Sequence, residues 1–371
     1  MWGREMTVYL ITFLISVLFS YMAEGQYESE DSLSDKYVVK EKYVVNTERH
    51  TGYFFFLTGC VLILVAGLRY RVGTDYGFYY SRYPRLINNL PHSILALDEP
   101  GFGFLAWIVT RFVNDGGAVI LVSSLVTLAL PLMVIYRNTK KLALATALFI
   151  VMGFWHGSFN GVRQYLAAAV LFTGYGFLKD RQFRQYCLVV FAAFLFHRSA
   201  IIMLPVYFIV HRKINQINLC LIAAALALIN VYSRFFLPIA GWIMEKQYSR
   251  DSGYVTQQVN ILRIAVECIP LIIFLIMYWG EELSESETFS LNLLIIHVSL
   301  RVLTMNSALL YRSGIYTTLF AAMAIINLQD GLTDGNRKII VNVITALYFC
   351  LWWYDLSASS SLNSFHWIWE R

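Results

Sequence analysis

The residues best suited to chemistry are arginines, a few acids and one histidine that lie where apolar segments end. The first group is the stretch LRYRVGTDYGFYY, residues 68–80, which contains Arg69, Arg71, Asp75 and Tyr76. Paired guanidinium groups bind phosphate or carboxylate, and a carboxylate beside them stays ionised and can act as a general base. The tyrosines can stack on sugar rings. The structural alternative is an interfacial anchor in which Asp75 only balances the arginines.

Two further arginines open apolar segments. Arg163 and Gln164 lie in the first turn of a predicted helix, and Arg312 precedes another predicted span. At a helix N-terminus the helix dipole and the unbonded N–H groups already favour an anion, so both positions predict phosphate-binding side chains. The alternative for each is an arginine that extends to the lipid headgroups.

Glu99 and His197 are the remaining candidates for acid–base chemistry. His197 lies in the middle of an apolar stretch, and an imidazole changes charge near neutral pH, so it can transfer a proton or contact phosphate. Its structural alternative is a buried core histidine. Glu99 precedes Pro100, which predicts the start of a short helix with proline at its first position. Glu99 is therefore predicted first as a helix cap and second as a catalytic group.

Apolar, helix-length segments position these residues. Of the 371 residues, 58% are hydrophobic and only 14% are charged, which excludes an ordinary soluble domain because one soluble core could not bury so much apolar surface. The predicted fold class is all-α, a polytopic transmembrane helix bundle that forms a single membrane domain over residues 1–371 with about ten spans. These spans are approximately 6–23, 53–68, 117–136, 142–158, 162–178, 217–236, 263–279, 289–304, 313–327 and 339–355.

Two apolar stretches do not fit simple spans. Residues 186–210 are broken at His197 into halves that are too short to cross a bilayer, which predicts a re-entrant hairpin, with two tilted short spans as the alternative. Residues 99–113 are interrupted by proline and glycine and predict an interfacial helix. The first span follows a basic residue and has the features of a signal peptide, so the sequence leaves open whether residues 1–23 are retained.

Lysines indicate the orientation, because cytoplasmic loops are enriched in basic residues. Total basic charge is balanced between the two sides, but every lysine except Lys246 falls in the loops of one side. We assign that side, with loop 24–52, to the cytoplasm. Loops 69–116, which include the amphipathic helix, and 237–262 are then external. The external side carries many arginines at membrane boundaries and fewer acids, and this surplus predicts an anionic ligand.

The five cysteines stand singly in apolar runs and form no CxxC or Cys/His pair. The sequence therefore predicts neither disulfides nor a metal site, and we expect no cofactor. Nucleic acid is not an expected partner.

With these motifs assembled, the chain resembles the EpsG family of Wzy-like exopolysaccharide and O-antigen repeat-unit polymerases. The matching stretches follow in order and spacing: LRYRVGTDYGFYY (68–80), EPGF (99–102), RQYLAAAVLF (163–172), FHRSAIIMLP (196–205) and YRSGIY (311–316). The resemblance implies transfer of an oligosaccharide from one undecaprenyl-diphosphate carrier to the terminal sugar on another. It places the reaction on the external face of the bacterial inner membrane and implies an architecture like that of GT-C glycosyltransferases.

The resemblance also assigns expected roles. The cations expected to hold the diphosphate are Arg163 and Arg312, with help from Arg69 or Arg71. Gln164 and Tyr76 are expected to contact the same substrate. The groups expected to take the acceptor proton are Asp75 or His197, with Glu99 as the weaker alternative. The expected partners are the lipid-linked oligosaccharide, the bilayer and a chain-length regulator protein.

Two other function classes fit the same pattern. Another membrane transferase, such as a glycosyltransferase with a lipid-phosphate donor or an acyltransferase, would need similar arginines. A flippase for the lipid-linked sugar would need them along an aqueous path. A flippase should also show paired halves or helices broken at corresponding places, and the sequence shows no such symmetry.

Overall fold

The computed structural model describes residues 4–34, 41–82, 99–213, 215–247 and 255–370. Helices make up 80% of it, and the strands among these residues form one pair. The all-α class of membrane protein is therefore confirmed. The GT-C-like arrangement stays a prediction.

The α-helices among the described residues are α1 (Arg4–Ser34), α2 (Glu41–Gly67), α3 (Pro100–Phe112), α4 (Gly116–Asn138), α5 (Leu142–Val151), α6 (Phe154–Gly157), α7 (Val162–Phe172), α8 (Tyr175–Lys179), α9 (Phe183–Phe196), α10 (Val206–Ile209), α11 (Gln216–Gln247), α12 (Ile261–Met277), α13 (Glu285–Leu303), α14 (Ala308–Tyr311), α15 (Ile315–Leu328) and α16 (Asp334–Ala358). A π-helix covers Phe78–Arg82, and 3₁₀ helices cover Arg198–Met203, Arg312–Gly314, Gln329–Gly331 and Ile368–Glu370. The strands are β1 (Arg69–Tyr70) and β2 (His366–Trp367).

Five helical stretches within the described ranges are long and apolar enough to cross a membrane: Met6–Gly25, Gly116–Asn138, Gln216–Ile239, Ala308–Gly331 and Asp334–Ala358. Shorter apolar helices of 10–17 residues lie at several of the predicted spans and in the 186–210 stretch: Gly52–Gly67, Leu142–Val151, Val162–Phe172, Phe183–Phe196 and Arg198–Ile209. The count of about ten spans stays a prediction, because several predicted spans correspond to these shorter helices.

Two of the predicted spans are interrupted in the structure. The span predicted at 142–158 is divided between α5 and α6, because Gly153 adopts a left-handed conformation with φ of 90° that ends α5. The span predicted at 162–178 is likewise divided, since α7 ends at Phe172 and α8 begins at Tyr175. A pattern of apolar residues indicates how much chain is buried, but it does not locate these breaks.

The predicted loops are partly helical. Within the stretch 24–52, helix α1 continues to Ser34 and helix α2 begins at Glu41. Residues 35–40 lie outside the described ranges. The stretch 237–262 begins within α11, which continues to Gln247. The interfacial helix predicted at 99–113 corresponds to α3. The sides of the membrane on which these segments lie stay predictions.

The chain divides into two compact units. The first consists of Met1–Ile201 and Trp352–Arg371, and the second of Ile202–Leu351. In the first unit α1 packs on α2 and α5, α2 packs on α4, and α4 and α9 pack on α7. Ser20 joins three helices, because its hydroxyl lies 3.0 Å from that of Thr58 and 2.7 Å from that of Thr146. Such hydroxyl contacts suit an apolar surrounding, where a polar group needs a partner.

The end of the chain also belongs to the first unit. β2 pairs antiparallel with β1, with Arg69 opposite Trp367. The backbone N–H of Gly73 donates to the carbonyl oxygen of Ser361 at 2.9 Å, and that of Ile368 donates to Leu68 at 2.8 Å. The residues after Tyr354 therefore support the 68–80 segment.

The second unit is centred on α13 and α15. Helix α13 packs on α15, α12 and α11. Its N-terminus is fixed by a capping box, in which the Ser284 hydroxyl accepts from the Glu287 N–H while the Glu287 carboxylate accepts from the Ser284 N–H. Nearly all of α15 is buried.

Candidate functional site

The first unit brings Glu99, Arg163 and His197 into direct contact. The Nη1 atom of Arg163 lies 2.5 Å from Oε2 of Glu99, and Nδ1 of His197 lies 3.3 Å from Oε1 of the same carboxylate. The Glu99 side chain is only 10% exposed, whereas those of Arg163 and His197 are 34% and 30% exposed. A nearly buried carboxylate thus holds a cation and an imidazole that solvent can still reach.

Glu99 occupies the N-cap of α3 with Pro100 in the first turn, as predicted, but its side chain makes no capping hydrogen bond. The predicted capping role of the side chain is therefore wrong. The physical reason is competition, because an ion pair with Arg163 and a contact with His197 satisfy the carboxylate better than neutral backbone N–H groups do. The Glu99 residue is still the N-cap of α3, but its side chain is the centre of the cluster.

Arg163 is the second residue of α7, where an anion was predicted. The carboxylate of Glu99 lies at this position, and Nε of Arg163 also donates to the hydroxyl of Tyr79 at 3.0 Å. The guanidinium is thereby fixed from two sides while about a third of the side chain remains exposed. Such a planar, oriented cation suits an oxyanion ligand.

His197 is held by the end of α9. That helix ends at Phe196, and His197 has an extended backbone, with φ of −156° and ψ of 119°. The break in the 186–210 stretch falls at the predicted residue, while its re-entrant path stays a prediction. Gly101 lets α3 approach this end closely, because a Cβ there would lie 2.9 Å from the Leu195 carbonyl oxygen. The Ser199 hydroxyl lies 3.2 Å from Nδ1 of His197.

The 68–80 segment docks on the loop that precedes α7. Gly73 has φ of 100° and its Cα faces the Phe159 carbonyl, so a side chain would be both strained and obstructed. The backbone N–H of Thr74 donates to Oδ1 of Asn160 at 2.9 Å. This contact ties the segment to the residues that lead into Arg163.

A buried aromatic cluster lies beneath the site. Tyr79 packs edge-on against Phe102, with ring centroids 5.3 Å apart, and both side chains are buried. Tyr76 is also buried and stacks on Tyr80, with centroids 5.4 Å apart. The predicted sugar-stacking face of Tyr76 is therefore covered by another tyrosine, and Tyr76 packs in the core.

Arg69 and Arg71 differ sharply although two positions separate them. Arg69 is buried, its Nη1 donates to the Ala66 carbonyl and to the Ser124 hydroxyl, and its Nε donates to the Val72 carbonyl. Burial lowers the pKa of Arg69 to about 10, so it stays protonated at neutral pH. Arg71 is exposed and has an unusual φ of 56°. The geometry favours a structural role for Arg69 and leaves Arg71 accessible to a ligand.

The other predicted residues differ in their exposure. Asp75 is half-buried in the turn before the π-helix, where its carbonyl accepts from Phe78 and Tyr79. Gln164 is buried in α7. Arg312 is exposed in the 3₁₀ helix that follows α14, in the second unit. Their predicted roles stay predictions.

Sequence reasoning missed Tyr79 and Asn160 as site residues. Tyr79 lies in the 68–80 motif, but it is one of several tyrosines there and nothing local distinguishes it. The signal for Asn160 is its position two residues before the first turn of α7. Among the described residues, no group of three or more His, Cys, Asp or Glu side chains is arranged to hold a metal ion.

The arrangement can perform acid–base chemistry beside an anion site. In the tautomer with hydrogen on Nδ1, His197 donates to Glu99 and presents Nε2 as a proton acceptor. The carboxylate fixes the ring and stabilises the protonated form that arises when a proton is taken. Arg163 places positive charge next to this pair.

A model of the EpsG family matches residues 52–368, which confirms the resemblance found in the sequence. The match begins within α2, includes Glu99, Arg163 and His197, and extends over most of both units. Among curated proteins and solved structures, none matches the chain.

Proposed function

The chain belongs to the EpsG family, and from that premise we propose that it is a membrane glycosyltransferase that polymerises lipid-linked saccharide repeat units. The donor is an oligosaccharide on undecaprenyl diphosphate, and the acceptor is the terminal sugar of a second lipid-linked chain. The reaction takes place on the external face of the bacterial inner membrane.

In this reaction a glycosidic bond forms, a sugar–phosphate bond breaks and a proton is transferred. An acceptor hydroxyl oxygen bonds to the anomeric carbon of the donor, and the bond from that carbon to the diphosphate oxygen breaks. The hydroxyl proton passes to a base on the protein, and undecaprenyl diphosphate leaves with the bonding electrons. Catalysis therefore needs a proton acceptor and positive charge near the leaving group.

The contact of Glu99 with both Arg163 and His197 is the observation that carries the proposal. Arg163 is fixed by Tyr79 and Glu99 and remains partly exposed, so it can bind the diphosphate without first being ordered. Charge that develops on the leaving oxygen strengthens this interaction in the transition state. Arg71, which is exposed in the same unit, supplies a second cation.

His197 is the proposed base, and Glu99 is the proposed positioning residue. The imidazole is partly exposed, whereas the carboxylate is nearly buried. A nearly buried carboxylate that already contacts an arginine suits orientation of the imidazole better than proton exchange with a sugar. Asp75 remains the second candidate for the base, because it is half-buried and lies near Tyr79 in sequence.

The test is an assay of the purified protein in detergent with undecaprenyl-diphosphate-linked repeat units, followed by product length on a gel. We expect a ladder spaced by one repeat unit, together with release of undecaprenyl diphosphate. Transfer of a single sugar without a ladder would instead indicate another lipid-phosphate glycosyltransferase. Translocation of a bound substrate in liposomes without any product would identify a flippase.

A further inference from the structure

The second unit contains a buried ion pair that the proposed reaction does not use directly. Glu267 of α12 and Arg301 of α13 are both 8% exposed, and Nε of Arg301 lies 3.4 Å from Oε2 of Glu267. The hydroxyl of Tyr311 donates to the same carboxylate oxygen at 2.5 Å. Three polar side chains from separate helices thus meet in an apolar interior.

Arg301 also forms the support on which the next turn folds. Its Nη1 donates to the Tyr311 carbonyl and its Nη2 to the Thr318 hydroxyl, each at 3.1 Å, and its guanidinium carbon lies 4.4 Å from the centre of the Tyr311 ring. A Cβ at Gly314 would overlap the guanidinium. The backbone from Tyr311 to Gly314 therefore lies directly against Arg301.

Stability alone is a weak reason for such a pair. Removing two charges from water is costly, and apolar residues of similar size often serve a fold equally well. The ion pair instead fixes the orientation of Tyr311, because Glu267 binds its hydroxyl and Arg301 binds its carbonyl oxygen. The residue after Tyr311 is Arg312, which is exposed.

We propose that Glu267 and Arg301 are positioning residues that fix the 3₁₀ turn of Arg312, so that its guanidinium is held ready for a diphosphate. This inference rests on the proposed function, because the expected ligand of Arg312 is the diphosphate of a lipid-linked substrate. Glu267 and Arg301 are too deeply buried to contact the substrate, so they act through Tyr311.

The first test compares two identical changes in the same unit. Tyr311→Phe removes the hydroxyl that bonds Glu267, and Tyr278→Phe removes a hydroxyl that donates to the Leu328 carbonyl at 2.6 Å. We expect Tyr311→Phe to lower kcat/KM about tenfold, because a small displacement of a binding group has a large effect on rate. Tyr278→Phe should leave kcat/KM within about twofold of the wild type.

A double-mutant cycle separates positioning from general loss of folding. In an Arg312→Gln background, Tyr311→Phe should lower kcat/KM by less than about twofold, since the group to be positioned is already gone. Glu267→Gln keeps the side-chain shape. It should also lower kcat/KM when Arg312 is present and by less than about twofold in the Arg312→Gln background. Equal losses in the presence and absence of Arg312 would overturn the proposal.

A second measurement does not depend on polymerase activity. Modification of Arg312 by phenylglyoxal can be followed by mass spectrometry with and without undecaprenyl diphosphate. We expect the lipid to protect Arg312 in the wild type and in Tyr278→Phe but not in Tyr311→Phe. If the protein makes no polymer but shows this pattern of protection, the polymerase reaction is rejected and the positioning role is supported. Equal protection in both phenylalanine variants would reject the positioning role.

Discussion

At the scale of single residues, the carboxylate of Glu99 determines how its two neighbours can act. It contacts Arg163 with one oxygen and His197 with the other, so a guanidinium and an imidazole are held next to the same carboxylate. In the proposed reaction the leaving diphosphate and the acceptor hydroxyl both react at one anomeric carbon. A single buried acid that orients both catalytic groups suits that requirement.

Arg163→Lys is expected to lower kcat/KM about 100-fold while membrane insertion remains normal. A lysine keeps the charge but cannot contact Tyr79, Glu99 and a diphosphate with one planar group. The measurement is repeat-unit transfer by protein whose insertion has been verified.

The matched control for Arg163→Lys is Arg111→Lys. Arg111 is exposed and lies in the first unit like Arg163, and its guanidinium carbon lies 5.2 Å from the centre of the Trp107 ring. Activity of the control should be nearly unchanged. Full activity of both variants would reduce Arg163 to a cation that faces lipid headgroups.

The two candidate bases give different expectations. His197→Asn should lower kcat about 1,000-fold, because it removes the proton acceptor, whereas Asp75→Asn should lower it less than about tenfold. The ladder assay at saturating donor measures both. A larger loss in Asp75→Asn than in His197→Asn would transfer the role of base to Asp75.

At the scale of elements, the site depends on segments that are short and irregular. The 68–80 segment is fixed by β2 on one side and by Asn160 on the other, and α3 meets the end of α9 at Gly101. Long helices set the framework, but these close approaches of backbone bring the side chains together.

Gly73→Ala is expected to lower the thermal midpoint of the detergent-solubilised protein. A Cβ at Gly73 would be strained at φ of 100° and would meet the Phe159 carbonyl, and each effect costs about 1 kcal/mol or more. Gly77→Ala is the control, because a Cβ at Gly77 meets no heavy atom within 4 Å. Equal thermal midpoints for the two variants would show that the 68–80 segment accommodates a side chain at Gly73 without loss of stability.

At the scale of the whole molecule, the sidedness of the proposed site follows from the lysine distribution. Lys140 lies in the short connection between α4 and α5, and position 246 lies near the end of α11. If the orientation is correct, a thiol reagent that cannot cross the membrane will label Lys246→Cys and not Lys140→Cys in a background without the native cysteines. The reverse pattern would place the site on the cytoplasmic face.

Sequence alone determined the features that depend on neighbouring residues. Composition and hydropathy gave the all-α membrane class, because apolar surface of that extent requires a lipid surrounding. Proline after Glu99 predicted the start of α3, and the polar break at His197 predicted the end of α9. The order of the motifs predicted the family, and each motif is a continuous stretch of chain.

Only the tertiary structure decided which of those residues act together. Glu99, Arg163 and His197 are far apart in sequence, and local patterns predicted a cap, an anion site and a hairpin tip separately. Arg69 and Arg71 look alike in sequence, yet one is buried under Ser124 and the other is exposed. Burial and ion pairing depend on which distant segments pack together, and hydropathy within a short window contains no record of that choice.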